Sequence, residues 1–219
     1  NYENEISLSN KGLMGSGDID YLSSHAESSA ITFLPNSLSA IAEVYVNKGG
    51  PGPPELPNVT GKNVKVVYVP DEKVLFASSI NKTDLLEFYD SLAVLNGTLA
   101  LRPEGMNGNG LLTIMKKGEL LAVNFKFKER QVDADTSDFD LLSFDLDALA
   151  FRTTNVNAHV DFDTKKSEFK SNGGESFVEF PDNQYICYMD KFNWYMKNDD
   201  LEMEAAKKKG NEVKIDTDM

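Results

Sequence analysis

Cysteine is almost absent. Cys187 is the only one in 219 residues, which excludes an internal disulfide framework and a thiolate metal cluster. Its neighbours Ile186, Tyr188 and Met189 mark it as a small buried residue rather than a reactive thiol. Histidine is nearly as scarce: neither His25 nor His159 has a second His or Cys at metal-ligand spacing. No apolar run approaches the roughly 18 residues a membrane-spanning helix needs. The longest, at 64–69, has strand length and contains Lys65. Basic residues are outnumbered 22 to 35, giving a net charge of −13. That field repels a phosphate backbone, so nucleic acid is excluded as a partner and the acidity is assigned to solubility. Helix signals are few. TDLLEFY at 83–89 can be capped by Thr83 and form one or two turns, and 201–209 has either helix-forming composition or a fraying end. The chain opens at Asn1 without an initiator Met or signal peptide and closes on Lys207, Lys208, Lys209, Gly210 and a polar tail. It therefore reads as an excerpt of something longer.

Period-two alternation dominates instead. Val64, Val66 and Tyr68 alternate up to Pro70, and Val74 resumes the pattern, so 63–78 is expected to be a hairpin turning at Pro70. Residues 124–128 alternate strictly. So do 139–151, through Phe139, Leu141, Phe144, Leu146 and Leu149, with a one-residue slip between Leu141 and Leu142 that implies a bulge. The Gly- and Pro-rich stretch 47–58 can be neither helix nor ladder strand.

An internal likeness organises the chain. LSNKGLMGSG at 8–17 and LRPEGMNGNG at 101–110 share the form L-x-x-x-G-Φ-x-G-x-G, where Φ is apolar. Phe33, Leu38, Ala40 and Tyr45 correspond to Phe127, Val132, Ala134 and Phe139 in the same order. Such glycines supply positive-φ turn positions between consecutive strands. The order differs from G-x-G-x-x-G and neither Lys-Ser nor Lys-Thr follows, which argues for turns over a phosphate cradle. A looser third echo runs through 157–180. The sequence thus divides into a first β unit at 1–92, carrying the 47–58 loop, and a second, longer unit at 93–219.

Three constellations could carry chemistry. Asp133, Asp135, Asp138, Asp140, Asp145 and Asp147 are dense enough to attract calcium, but the loop lacks its turn glycine and a closing glutamate, since Phe144 stands there. They are expected on a solvated strand face, and no metal is assigned. Paired carboxylates for hydrolysis meet only in three dimensions, and no G-x-S-x-G elbow exists, so no catalytic residue is assigned. The aromatic stretch Tyr185, Tyr188, Phe192, Trp194 and Tyr195 has two readings. Exposed, Tyr188, Phe192 and Trp194 would form a platform for a ligand or partner. Buried, Ile186, Tyr188, Phe192, Trp194 and Met196 share one parity and would be core, with Asp190 interrupting it. Core is the favoured reading.

The segments NAHVDF at 157–162, KSNGG at 170–174, FVEFP at 177–181 and NQYICYMDKFNWYM at 183–196 resemble very large, uncharacterised envelope proteins of diderm (Gram-negative) bacteria. The glycine segments at 12–17 and 105–110 and DADTSDF at 133–139 are similar to repeats in the same proteins. The resemblance implies export to the periplasm, outer membrane or cell surface. It also implies a fold-level likeness to the β-taco of lipopolysaccharide-bridge proteins; it transfers no catalytic, cofactor or metal residue.

The expectation is therefore an all-β chain of Gly-punctuated antiparallel units forming an elongated sheet, taco-like, solenoid-like or sandwich. Its role would be a non-catalytic structural or transport scaffold with an apolar groove able to hold lipid, its partners the neighbouring repeats of a parent chain. The alternative is a surface module binding carbohydrate or protein.

Overall fold

The computed structural model describes residues 6–10, 12–143, 148–173 and 177–205. Phe144, Asp145, Leu146 and Asp147, and the lysines from Lys207 onward, lie outside these. The described residues form one antiparallel sheet of eighteen strands. In chain order they are β1 (Ser7–Ser9), β2 (Gly12–Tyr21), β3 (Ser24–Leu34), β4 (Ser37–Ala42), β5 (Val44–Asn47), β6 (Val59–Gly61), β7 (Val64–Val69), β8 (Val74–Ser78) and β9 (Leu86–Phe88). Then follow β10 (Ala93–Arg102), β11 (Gly105–Ile114), β12 (Gly118–Phe127), β13 (Gln131–Leu142), β14 (Leu149–Asp161), β15 (Lys166–Ser171), β16 (Phe177–Phe180), β17 (Tyr185–Tyr195) and β18 (Asp200–Ala205).

The topology is a simple meander. β4 and β5 both pair with β3, as two halves of one crossing. β6 with β7, β8 with β9, and β15 with β16 are halves of single crossings in the same way. Eighteen strands, eight of them in four such pairs, make fourteen crossings. The ladder from β9 to β10 runs straight across position 92, and one cluster of buried apolar side chains extends from Ile19 to Met196. The 1–92 and 93–219 stretches therefore share a sheet and a core.

Most crossings are interrupted near their middle. In β12 the buried positions run Gly118, Leu120, Ala122 and then jump to Phe125 and Phe127. In β13 they pass from Ala134 to Ser137, in β14 from Thr153 to Val156, and in β3 from Ser28 to Ile31. A three-residue step where two is the rule keeps both halves facing inward while one residue bulges, and a bulge bends its strand. β10 and β11 keep their phase and place Gly97, Gly108 and Gly110 on the same line. Backbone groups freed along it are taken up locally. Ser28 Oγ donates to Ile41 O (2.7 Å), Ser137 Oγ to Val156 O (2.9 Å) and Thr153 Oγ1 to Phe177 O (2.9 Å), while Gly97 N donates to Ser79 Oγ (2.8 Å).

Bent along this line, the sheet closes on itself and its two rims of turns meet. Tyr21, at the end of β2, packs tilted against Tyr68 near the opposite rim (4.8 Å) and donates to Lys73 O (2.5 Å). Tyr89 follows β9, is 1% exposed, and stacks on Phe162 in the turn after β14 (4.1 Å). Its hydroxyl donates to Gln131 O at 2.7 Å, with Lys128 O at 3.2 Å. Lys117, after β11, pairs with Asp199, after β17. In each case a turn from one rim reaches a turn from the other. The 47–58 loop is irregular as expected, with Gly50 and Leu56 exchanging backbone bonds (2.9 and 3.0 Å). Leu56 joins the core.

The 63–78 hairpin forms as read, with Lys73 N donating to Pro70 O (3.0 Å). Three expectations fail. Residues 83–89 form no helix: Leu86–Phe88 is β9, because pairing to β6 and β10 on both sides overrides a weak local propensity. Asp200–Ala205 is likewise β18. The alternation at 139–151 is not one strand. β13 ends at Leu142, with the expected shift between Leu141 and Leu142, β14 begins at Leu149, and Ser143 N donates to Ala148 O (2.8 Å).

Candidate functional site

The site is built from the cross-strand register. On the half of the sheet nearer the β3–β4 rim, Leu8 faces Leu13, which faces Phe33, then Leu38, Tyr68, Leu75 and Leu101. The row continues through Met106, Phe127, Val132, Val160, Ser167 and Trp194 to Leu201. It takes one residue from every crossing, and only Ser167 in it is not apolar or aromatic. On the other half a second row runs Ile19, Ala26, Tyr45, Gly61, Leu86, Leu95, Leu112, Leu120, Phe139, Thr153, Val178, Cys187. Folding the sheet brings the rows face to face: Phe88, beside Leu86, stacks on Phe127 (4.6 Å), and Phe139 meets Trp194 (5.6 Å).

Exposure along the rows locates their ends. From Leu75 to Trp194 the first row is at most 2% exposed. At its start Leu8 is 83% and Leu13 47% exposed; beyond its end Met203, the inward neighbour of Leu201 on β18, is 40% exposed. The second row ends on half-buried Cys187, beside Tyr185 at 58%. Phe180, Tyr185, Met189 and Met203 line a cleft of ≈ 650 Å³ there. The apolar interior is thus packed in the middle and open at both ends.

Tyr188, Phe192 and Trp194 are not brought together. Phe192 is buried and lies flat on Phe169 (4.4 Å, 10°), Trp194 is fully buried, and Tyr188 is 64% exposed on the outer face. The register shift between Met189 and Lys191 inverts the phase of β17 at Asp190. Ile186 and Tyr188, read as core by parity, consequently face outward, while Cys187 and Met189 turn in. The interruption was visible at Asp190; that it reverses the face follows only from the pairing.

Of the six aspartates, Asp133, Asp135, Asp138 and Asp140 lie among the described residues, on the outer face, each engaged by a neighbouring group. Asp133 binds His159 Nδ1 (2.6 Å) and Lys128 (2.9 Å), Asp135 binds Lys126 (2.7 Å), and Asp140 binds Arg152 through two bonds (2.8 and 2.6 Å). Asp138 accepts Asn155 N (3.0 Å), whose φ of 55° marks the bend. Partial burial pushes the Asp133 carboxyl up, but the His159 and Lys128 bonds outweigh it and hold it below the usual range. His25 sits between Asp20 (2.8 Å) and Glu27 (3.4 Å), and the bond to Asp20 chiefly raises its pKa. Among the described residues no three His, Cys, Asp or Glu converge as metal ligands would. Burial pushes the Cys187 thiol up, away from reactivity.

The glycine motifs lie within strands rather than in turns. Gly12 and Gly105 open β2 and β11 with φ of 114° and 150°; Gly17 and Gly110 have φ of 138° and 124°. Each motif spans a register shift, at Gly15/Gly17 and at Gly108/Gly110, and a strand follows each. Sequence reasoning gave the glycines their positive φ and missed their role as bends. It also missed Tyr89 and the serine and threonine hydroxyls along the bend, which carry no pattern until the strands are aligned. No protein-family model, curated protein or solved structure matches this chain.

Proposed function

We propose that this chain is a non-catalytic structural segment: a length of rolled sheet that serves as scaffold in a large protein of the bacterial cell envelope. The observation that carries it is the apolar row contributed by every crossing, packed throughout its middle and open only where the sheet stops. A wall extended by adding crossings needs that arrangement. An enzyme or a discrete binding module would instead concentrate polar groups in one concavity. The outer carboxylates are tied to cations on adjacent strands, which suits a stiff surface. The assignment to the envelope rests on the family resemblance.

Filling of the interior by Phe, Leu and Trp side chains favours structure over lipid transport. The test is titration with a fluorescent naphthylamine acyl-chain probe, followed by quenching of Trp194. No saturable binding is expected, and micromolar binding with quenching would turn the reading to a lipid carrier. Exposed Tyr185, Ile186 and Tyr188 favour the runner-up, a surface module for carbohydrate or protein. Glycan binding abolished by Tyr188→Ala would establish it.

A further inference from the structure

We infer that copies of this chain associate head to tail, β18 of one pairing with the β1–β2 end of the next, so that the first apolar row runs on from copy to copy. This rests on the scaffold reading and names its partner. The docking chemistry is that of an added β-strand: backbone bonds along the edge, with apolar side chains at alternate positions facing inward. The C-terminal end asks for such a strand, since Met203 and Tyr185 face inward yet are 40% and 58% exposed. The N-terminal end offers one, since Leu8 and Leu13 stand in the inward row yet are 83% and 47% exposed.

The geometry of the meander makes the two ends compatible. Fourteen crossings are an even number, so a following β1 arrives antiparallel to β18, as each crossing does to its predecessor. Its turns then fall on the correct rim. Leu8 belongs to the row that ends at Leu201, so this placement sets Leu8 of the second copy beside Leu201 of the first. Like ends cannot do this, because pairing β18 with β18 reverses the order of the rims. A head-to-tail contact leaves every assembly short of a closed ring with one free end of each kind.

Sedimentation velocity tests the inference with two variants, Leu8→Lys and Met203→Lys, each placing charge at one end. The unaltered chain should grow beyond dimers with concentration. Each variant alone should be monomeric, while their equimolar mixture should form a dimer and nothing larger, since one intact head meets one intact tail. A monomeric unaltered chain, variants that associate as it does, or a mixture that stays monomeric would each overturn the inference. Should Met203→Lys fail to fold, oxidation of a Leu8→Cys, Leu201→Cys, Cys187→Ser chain, whose two cysteines this placement sets opposite each other, replaces it. A ladder of disulfide-linked multimers is expected, and its absence overturns the proposal. A chain that neither associates nor binds acyl probe or glycan loses this inference and keeps the scaffold reading; probe binding in an associating chain does the reverse.

Discussion

β10–β11 and the crossings beyond them make the same bend in two ways. In β10 and β11 the inward phase is unbroken and glycine alone permits the approach: a Cβ on Gly97 would lie 2.0 Å from Asn109 O, and one on Gly110 would lie 2.3 Å from Asn96 O. In β12, β13, β14 and β17 a one-residue slip does the work, and side chains mend the exposed backbone. The interiors differ too. The inward side chains of β10 and β11 themselves are aliphatic, from Leu95, Leu99, Leu101, Leu112 and Ile114, with Phe127 of β12 lying against Gly108; the later crossings contribute the rings of Phe139, Phe151, Phe169, Phe192 and Trp194. A slip admits any residue at the bulge and keeps Cβ atoms on both flanks, so large rings can fill the fold. A glycine bend draws the backbones together and leaves room for aliphatic chains.

The largest expected effect sharpens this contrast. Trp194→Ala should cost about 3–5 kcal/mol in a denaturant melt, since the ring packs on Phe139 and lies over Gly118. Tyr188→Ala, on the same strand but facing out, should stay within about 0.5 kcal/mol. Equal costs would break the phase inversion at Asp190.

Next comes Gly97→Ala, whose added methyl meets backbone rather than a movable side chain. A loss of about 1–3 kcal/mol is expected. Val123→Ala, at the 86%-exposed slip of β12, should do nothing measurable. If both are silent, glycine is not what bends β10 and β11.

Tyr89 clamps the rims where the two kinds of crossing adjoin. Tyr89→Phe removes the short bond to Gln131 O, which keeps its bond from Lys128 N (2.9 Å), and should cost about 0.5–1.5 kcal/mol. Burial raises the Tyr89 hydroxyl and pushes Tyr45 up to about 12, against an ordinary 10.0. A folded pKa raised above the unfolded one means the stabilisation is complete below pH 10.0 and is lost as pH climbs toward about 12. Melting temperature should therefore fall over that window, and a Tyr45→Phe, Tyr89→Phe chain should fall less steeply.

The smallest effect has the opposite sign. Ser167 Oγ and Trp194 Nε1 are buried in facing positions of the apolar row without hydrogen-bond partners. Ser167→Ala should be neutral or stabilising by up to about 1 kcal/mol, because it removes a desolvated hydroxyl from the aromatic region. A clear loss in the melt would mean that the hydroxyl is satisfied and the row is wetter there than elsewhere.

Alternation within a strand was legible because burial of one sheet face imposes period two on neighbouring residues. It placed the 63–78 hairpin, the loop at 47–58 and the all-β class. The bends at 122–125, 134–137 and 153–156 were also written in the sequence, as three-residue steps between inward residues. A single slip looks like noise until adjacent strands show it at the same height. The core reading of the aromatic stretch holds for Phe192, Trp194 and Met196 and fails for Ile186 and Tyr188, because parity does not carry through a bulge.

What the sequence by itself determined is local: which segments pleat, where glycine is required, and the net negative charge. These follow from side-chain sterics and solvation over a few residues. The row through all fourteen crossings and its partner from β2 to β17, the meeting of the rims at Tyr21, Tyr89 and Lys117, and the open ends were decided only by tertiary structure. They depend on register between strands, and register is set by long-range burial summed over many pairs, which no window of sequence contains.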